Sequence, residues 1–265
     1  MIEQAQDFRE EADALAQLLE PLGPQDWERK TQFKAWTLND VIAHLHFADY
    51  AADLALRDGA AFREFTKEIG KLSERAGTLM AATHQWLSGK RDRALLDHWR
   101  NFYRAMADRF AAADPKARVP WFGPDMSVRS SITARLMETW AHGQAVYDLL
   151  GKPRADTDRI KNVVVIGINT FGWTFTNRKL PVPAKMPFVR LMGPSGAVWE
   201  WGENDPANLI EGNAVEFCQV VTQTRNIADT KLRVVGETAR SWMEIAQCFA
   251  GPPETPPAPG KRFLQ

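Results

Sequence analysis

The sequence predicts a mainly α-helical protein with an α+β C-terminal part. Three observations point to this fold class. Apolar residues recur at helical spacing through the first 150 residues, glycine or proline closes these stretches, and short alternating runs around a Gly-Pro-Ser-Gly turn follow only after residue 187. With 265 residues, 45% of them apolar and 25% charged, the chain has an ordinary globular composition and sufficient length for two domains.

Five amphipathic helices are expected in the first 150 residues. The first covers residues 2–22 and ends at "PLGP". The second has Thr37 at its N-cap and Asp40 three residues later, close to a capping box, and it stops at Gly59. The other three are expected over residues 60–88, 92–113 and 127–150.

The rest of the chain changes in character. Residues 158–178 contain a β-branched run, but their length and lack of turns favour a helix. A hairpin is then expected over 188–202, a helix near 214–223, a strand at 231–236 and a helix at 238–249. The expected domains are therefore a helical bundle, 1–180, a small α+β domain, 181–250, and a Pro-rich tail, 251–265, which we expect to be disordered.

Charge and cysteine content exclude several classes of function. The 33 basic residues balance the 33 acidic ones, so no net field favours nucleic acid or an anionic membrane. No apolar run is long enough to span a bilayer, and the acidic N-terminal stretch is unlike a signal peptide, so a cytoplasmic protein is expected. The spacing of Cys218 and Cys248 does not decide between two buried thiols and a disulfide.

The stretch "METWAHGQAVYD" carries the first chemical signal. Glu138 and His142 are four residues apart in a predicted helix, so both side chains lie on one face and can bind one ion. Ser131, Arg135, Ala145 and Leu149 share this stripe, whose last turns are apolar. A lone Glu-x-x-x-His pair is also common by chance at a surface, so a metal site needs a third ligand.

The second predicted helix offers two further histidines. His44 and His46 flank the apolar stripe of that helix on opposite sides, and the periodicity does not choose between them. Each is equally compatible with a histidine that packs at a helix interface. His84 and His98 have no acidic or histidine neighbour at ligand spacing, and we expect them to be surface or packing residues.

Together, residues 36–45 ("WTLNDVIAHL") and 137–148 resemble the two signature helices of the mycothiol-dependent maleylpyruvate isomerase group, in the DinB-like metal-binding superfamily. The resemblance implies a DinB-like four-helix-type bundle followed by a small domain similar to sterol carrier proteins. It also implies that His44, Glu138 and His142 bind a divalent metal, usually zinc, and that His46 falls outside the ligand pattern.

The resemblance further implies an enzyme that uses a low-molecular-weight thiol such as mycothiol. Two nitrogens and one carboxylate suit zinc and leave one coordination position open for that thiol. The expected activity is isomerisation or S-transfer on a small molecule, and the alternative is a non-catalytic metal-bound protein that binds or senses a ligand. Arg135 either forms an ion pair with Glu138 or holds a substrate anion, and Arg225 is either a substrate contact or a solvated residue at a helix end.

Overall fold

The structure is a computed structural model that describes residues 2–262, and these residues form two compact units divided between Leu149 and Leu150. The first unit consists of helices and one short hairpin. Its helices are α1 (Glu3–Leu19), α2 (Leu38–Arg57), α3 (Gly59–Ala76), α4 (Leu79–Trp86), α5 (Asp92–Ala112) and α6 (Val128–Leu150). Two antiparallel strands, β1 (Arg118–Val119) and β2 (Met126–Ser127), lie between α5 and α6.

Large aromatic side chains fill the core of this bundle. Helices α1 and α2 both pack on α5, while α3 and α4 pack on each other and on α2. Trp27, Trp99, Trp140 and Tyr103 are at most 2% exposed, and burial of rings of this size contributes several kcal/mol to the stability of the bundle.

The predicted start of α2 is confirmed as a complete capping box. The Thr37 hydroxyl oxygen accepts a hydrogen bond from the Asp40 backbone N–H at 3.1 Å, and Asp40 Oδ2 accepts one from the Thr37 N–H at 2.8 Å. Because the cap satisfies two backbone donors at once, it fixes the residue at which the helix begins. The first residue of α2 in turn determines which side of the helix each residue of the next two turns occupies, including His44.

The prediction of a single helix over residues 60–88 is wrong, because the structure has two helices there. Gly77 has a left-handed φ of 83°, which ends α3, and the Thr78 side chain then caps α4 by accepting from the Ala81 N–H. Glycine at a helix C-terminus followed by threonine is a stop signal and a start signal in immediate succession. The result is a separate short helix that packs against α2.

The second unit is α+β, as predicted. Its helices are α7 (Lys161–Asn169), α8 (Phe171–Asn177), α9 (Ala214–Val221) and α10 (Glu237–Ile245), and its strands are β3 (Phe188–Met192), β4 (Val198–Trp201), β5 (Leu209–Asn213) and β6 (Arg233–Val235). The strand order is β4-β3-β5-β6, with β3 and β5 parallel and the two outer pairs antiparallel. One face of the sheet buries Val189, Leu191 and Ile210, while its other face carries ion pairs such as that between Arg190 and Glu200.

The compact units divide about thirty residues before the boundary expected from the sequence, at 180/181. Helix α7 packs against α9, and α8 packs against α10. At Gly167 this packing is so close that a Cβ atom would lie 2.9 Å from the Phe217 ring. The helical segment 158–178 therefore forms part of the second hydrophobic core.

The Pro-rich tail differs from the disordered segment that its composition predicts. Gln223 and Arg178 donate hydrogen bonds to the Glu254 carbonyl, and the Gly260 N–H donates to the Asp229 carboxylate. The tail up to residue 262 is thus held against the second unit by hydrogen bonds. The prediction of disorder also covered residues 263–265, which lie outside the described part of the chain. In the described part of the chain, no helix is both long enough and apolar enough to cross a bilayer.

Candidate metal centre

The structure brings together three side chains from two helices. His44 lies on α2, and Glu138 and His142 lie one turn apart on α6. Glu138 Oε2 is 3.1 Å from His44 Nε2 and 3.2 Å from His142 Nε2. One ligand atom from each residue falls within 4.8 Å of the others, close enough to surround one ion.

Partial burial sets the protonation states of this cluster. Burial lowers the pKa of His44 to about 4, although the hydrogen bond to Glu138 opposes the shift. Burial also acts to raise the pKa of Glu138, but hydrogen bonds and charge interactions with His142 and His44 outweigh it and hold that pKa well below its usual value. At neutral pH the His44 imidazole is neutral and Glu138 is a carboxylate, and these are the forms that bind a metal.

Aromatic rings from the loop before α2 cover the cluster. The Trp36 ring stacks on His142 at 5.3 Å between centroids and lies 5.1 Å from His44, and Phe33 contacts His142 edge-on at 5.0 Å. Such rings exclude water from this side of the cluster, which strengthens electrostatic interactions within it.

A strained turn holds these rings in place. The Trp36 N–H donates to the Phe33 carbonyl at 2.9 Å, and the two residues between them, Lys34 and Ala35, have φ values of 49° and 53°. This is a type I′ turn, in which asparagine and glycine are the preferred residues. Neither is present here, so the loop contains backbone strain directly above the candidate ligands.

Replacement of Ala35 by glycine should therefore stabilise the chain. Glycine adopts the left-handed region without the steric penalty of a Cβ atom, and we expect Ala35→Gly to raise the free energy of unfolding by about 1 kcal/mol. The matched control is Ala105→Gly, in an exposed position inside α5, which should lower it by about 0.5–1 kcal/mol. Urea denaturation measures the free energy of unfolding of both variants. If both substitutions changed it in the same direction, the inference that the turn at Lys34 and Ala35 is strained would be wrong.

Arg135 forms a buried ion pair that the sequence did not indicate. Its Nε donates to Asp49 Oδ1 at 2.9 Å, and Trp99 Nε1 donates to Asp49 Oδ2 at 2.8 Å. Arg135 is 3% exposed and Asp49 is fully buried. Arg135 Nη2 is buried with no hydrogen-bond partner among the described residues. The guanidinium thus lies in the core, paired with α2, whereas the sequence suggested either Glu138 or a substrate anion as its partner.

Arg225 lies in the second unit, four residues after the end of α9. Its side chain is 5% exposed, and Nη1 donates to the Thr224 carbonyl at 2.8 Å. A solvated arginine at a helix end, one of the two alternatives from the sequence, is therefore excluded. Cys218 and Cys248 are both buried free thiols, which excludes the disulfide.

The structure shows that His44, and not His46, joins Glu138 and His142, a choice that the apolar pattern of the helix left open. The His46 ring packs on Trp86, His98 and Phe102, outside the cluster that contains His44. Burial, followed by the nearby charges of His98 and Lys90, lowers its pKa to about 3. His46 is thus a neutral packing residue on the other flank of α2.

His84 has a partner that the sequence spacing did not reveal. Its Nε2 is 2.6 Å from Oδ1 of Asp40, which lies 44 positions earlier in the chain. The capping box that identifies Asp40 in the sequence gives no indication of this second partner, because the contact depends on how α4 packs on α2.

A comparison with family models covers the part of the chain that contains this cluster. The family model described as the mycothiol maleylpyruvate isomerase N-terminal domain matches residues 8–147, more than half of the chain and all three clustered side chains. The chain belongs to this family. The resemblance inferred from the two motifs is thereby confirmed.

One relative and two solved structures match most of the chain. An uncharacterized protein of Mycobacterium tuberculosis, found in two strains, is 38% identical over 247 residues, which cover 93% of this chain and 95% of the relative. The crystal structures of the mycothiol-dependent maleylpyruvate isomerase and of a histidine-to-alanine mutant each align with a TM-score of 0.52 at 13% identity, over 82% of this chain and 87% of theirs. These structures confirm the predicted DinB-like fold.

Proposed function

We propose that the chain binds one divalent metal ion, with zinc as the best match, through His44, Glu138 and His142. The observation that carries this proposal is the convergence of two imidazole nitrogens on one carboxylate oxygen at 3.1 and 3.2 Å. Two nitrogens and one oxygen form a donor set that suits zinc, and three protein ligands leave one position of a tetrahedral site open, as in catalytic zinc sites.

We further propose that a low-molecular-weight thiol, such as mycothiol, is the cofactor of an isomerisation or S-transfer on a small molecule. Family membership supports the thiol. A divalent ion, when bound, lowers the pKa of a thiol and so provides thiolate at neutral pH. The single carboxylate of the cluster offsets only part of a divalent charge, which favours an anionic ligand such as thiolate.

The residues of the chain have separate proposed roles. His44, Glu138 and His142 hold the ion, and Trp36 and Phe33 shield it. Because the Arg135 guanidinium pairs with Asp49 in the core, we assign it no direct substrate contact. Arg225 remains the residue that we propose for an anionic substrate group. The proposed compartment is the cytoplasm, which keeps thiols reduced, in agreement with the two free cysteines.

A cobalt-substituted protein tests the thiol proposal. Addition of a small thiol should produce a sulfur-to-metal charge-transfer band, because the form that binds the metal is the thiolate. The control is the double variant Cys218→Ser, Cys248→Ser, which should show the same response because both thiols are buried in the second unit. A band that is present without added thiol and absent in the double variant would show that a protein cysteine is the sulfur donor.

A further inference from the structure

His84 and Asp40 form a histidine–carboxylate pair outside the proposed ligand set. His84 Nε2 lies 2.6 Å from Asp40 Oδ1, while Asp40 Oδ2 accepts hydrogen bonds from the Thr37 N–H and hydroxyl, each at 2.8 Å. A carboxylate that accepts three bonds has a fixed orientation. Burial raises the pKa of Asp40, but the bonds from His84 and Thr37 outweigh burial and lower it, so Asp40 stays ionised.

The bond to Asp40 fixes the tautomer of the neutral imidazole. A carboxylate only accepts hydrogen bonds, so the proton lies on Nε2 and Nδ1 has a free lone pair. Among the described residues, Asp40 is the only hydrogen-bond partner of the His84 ring. The side chain is 24% exposed, so a small molecule can reach it. A histidine that is oriented by a carboxylate and open on its other nitrogen has the arrangement of a general base.

This pair lies next to the candidate metal centre along α2. Asp40, His44 and Phe47 occupy positions i, i+4 and i+7, which form one stripe on a helix, with Cβ atoms about 5–6 Å apart from one turn to the next. Helix α4 contacts α2 through His84, which meets Asp40, and through Trp86, whose ring lies against Phe47 and His46. Because Asp40 and His44 are four residues apart on α2, the His84–Asp40 pair is one turn from a proposed ligand.

The other histidine pair does not share this position. His98 contacts His46, which lies about 200° around α2 from His44. His98 is thus a natural control, since it is a histidine of the same unit that contacts α2 on a different face.

We propose that His84 is the proton acceptor for the thiol cofactor and that Asp40 is its positioning residue, an inference that rests on the proposed thiol-dependent function. The S–H bond of the thiol breaks, its proton moves to Nδ1 of His84, and the sulfur keeps the electron pair. When that pair forms a bond to an electrophilic carbon of the substrate, the protonated His84 stabilises the negative charge that develops on the substrate. When the carbon–sulfur bond breaks again, sulfur recovers the pair and the proton returns to it from Nδ1.

Proton counting by calorimetry tests this role without any assay of turnover. N-acetylcysteine is titrated into zinc-loaded protein at about pH 7.5, where a free thiol is still mostly protonated, in buffers that differ in ionisation enthalpy. The wild-type protein should release almost no proton to the buffer, because His84 retains it. His84→Gln should release about one proton per bound thiol, because the bound form is thiolate and nothing nearby accepts the proton.

His98→Gln should behave like the wild type, and Asp40→Asn should release an intermediate number of protons because His84 loses the negative charge of its partner. Zinc content and thermal unfolding verify that every variant is folded and loaded. Equal proton release from the wild type and from His84→Gln would overturn the role of His84 while leaving the thiol function intact. An absence of thiol binding to the zinc-loaded wild type would instead overturn the proposed function, and the inference with it.

Discussion

About one equivalent of zinc, or of another divalent ion of the same preference series, should copurify with the untagged protein, and His142→Ala should lose it. The imidazole of His142 supplies one of only three protein ligands, and its Nε2 already lies 3.2 Å from the Glu138 oxygen that would share the ion. Loss of one ligand from a three-ligand site should reduce affinity by several orders of magnitude. Metal analysis by mass spectrometry after dialysis measures the change.

Two further variants test whether the loss of metal is specific to the proposed ligands. His46→Ala removes a histidine from the same region of α2 but from outside the cluster, so it should keep its metal. Glu138→Gln keeps the shape of the side chain and its helix propensity while it removes the charge, so it should bind metal more weakly in a folded bundle. If His46→Ala loses zinc and His142→Ala retains it, the proposed ligand set is incorrect.

Arg135→Met should destabilise the first unit by about 3–5 kcal/mol, because it leaves the carboxylate of Asp49 buried without its cationic partner. Asp49 is fully buried, and burial acts to raise its pKa while the charge of Arg135 and the hydrogen bonds oppose this effect. Urea denaturation, followed by circular dichroism of the full chain, measures the loss.

A double variant separates loss of the pair from loss of packing. Asp49→Asn with Arg135→Met removes both charges and leaves an amide oxygen for the Trp99 N–H, so it should recover much of the stability lost by Arg135→Met. Lys67→Met breaks an ion pair that is exposed on both sides and should leave the denaturation midpoint nearly unchanged. A small effect of Arg135→Met would show that this arginine is not a structural core residue and would reopen its role in anion binding.

The sequence alone predicted those features that depend on residues close together in the chain. The capping box at Thr37, the i,i+4 relation of Glu138 and His142 and the hairpin of β3 and β4 all depend on contacts over a few residues. Strand β5 was missed, because its sequence "LIEGN" does not alternate and its partner β3 lies about twenty residues earlier.

Features set by packing between distant segments could not be predicted. His44 and His46 differ only in which helix covers each flank of α2, and the ion pair of Asp49 and Arg135 joins residues 86 positions apart. Helical periodicity gives the angle of a side chain around its own axis, but it does not give the neighbour on that side. Only the resemblance to a family selected His44 from the sequence.

The carboxylate of Asp40 has consequences for how this chain can evolve. One oxygen completes the cap of α2, and the other holds His84. A longer side chain would keep the charge but misplace both bonds, and a neutral one would keep the cap but not the ionised partner. Two separate interactions therefore limit which residues can replace Asp40 in evolution. A related protein without a histidine at position 84 would still need a short side chain with a hydrogen-bond acceptor at position 40 to begin the helix.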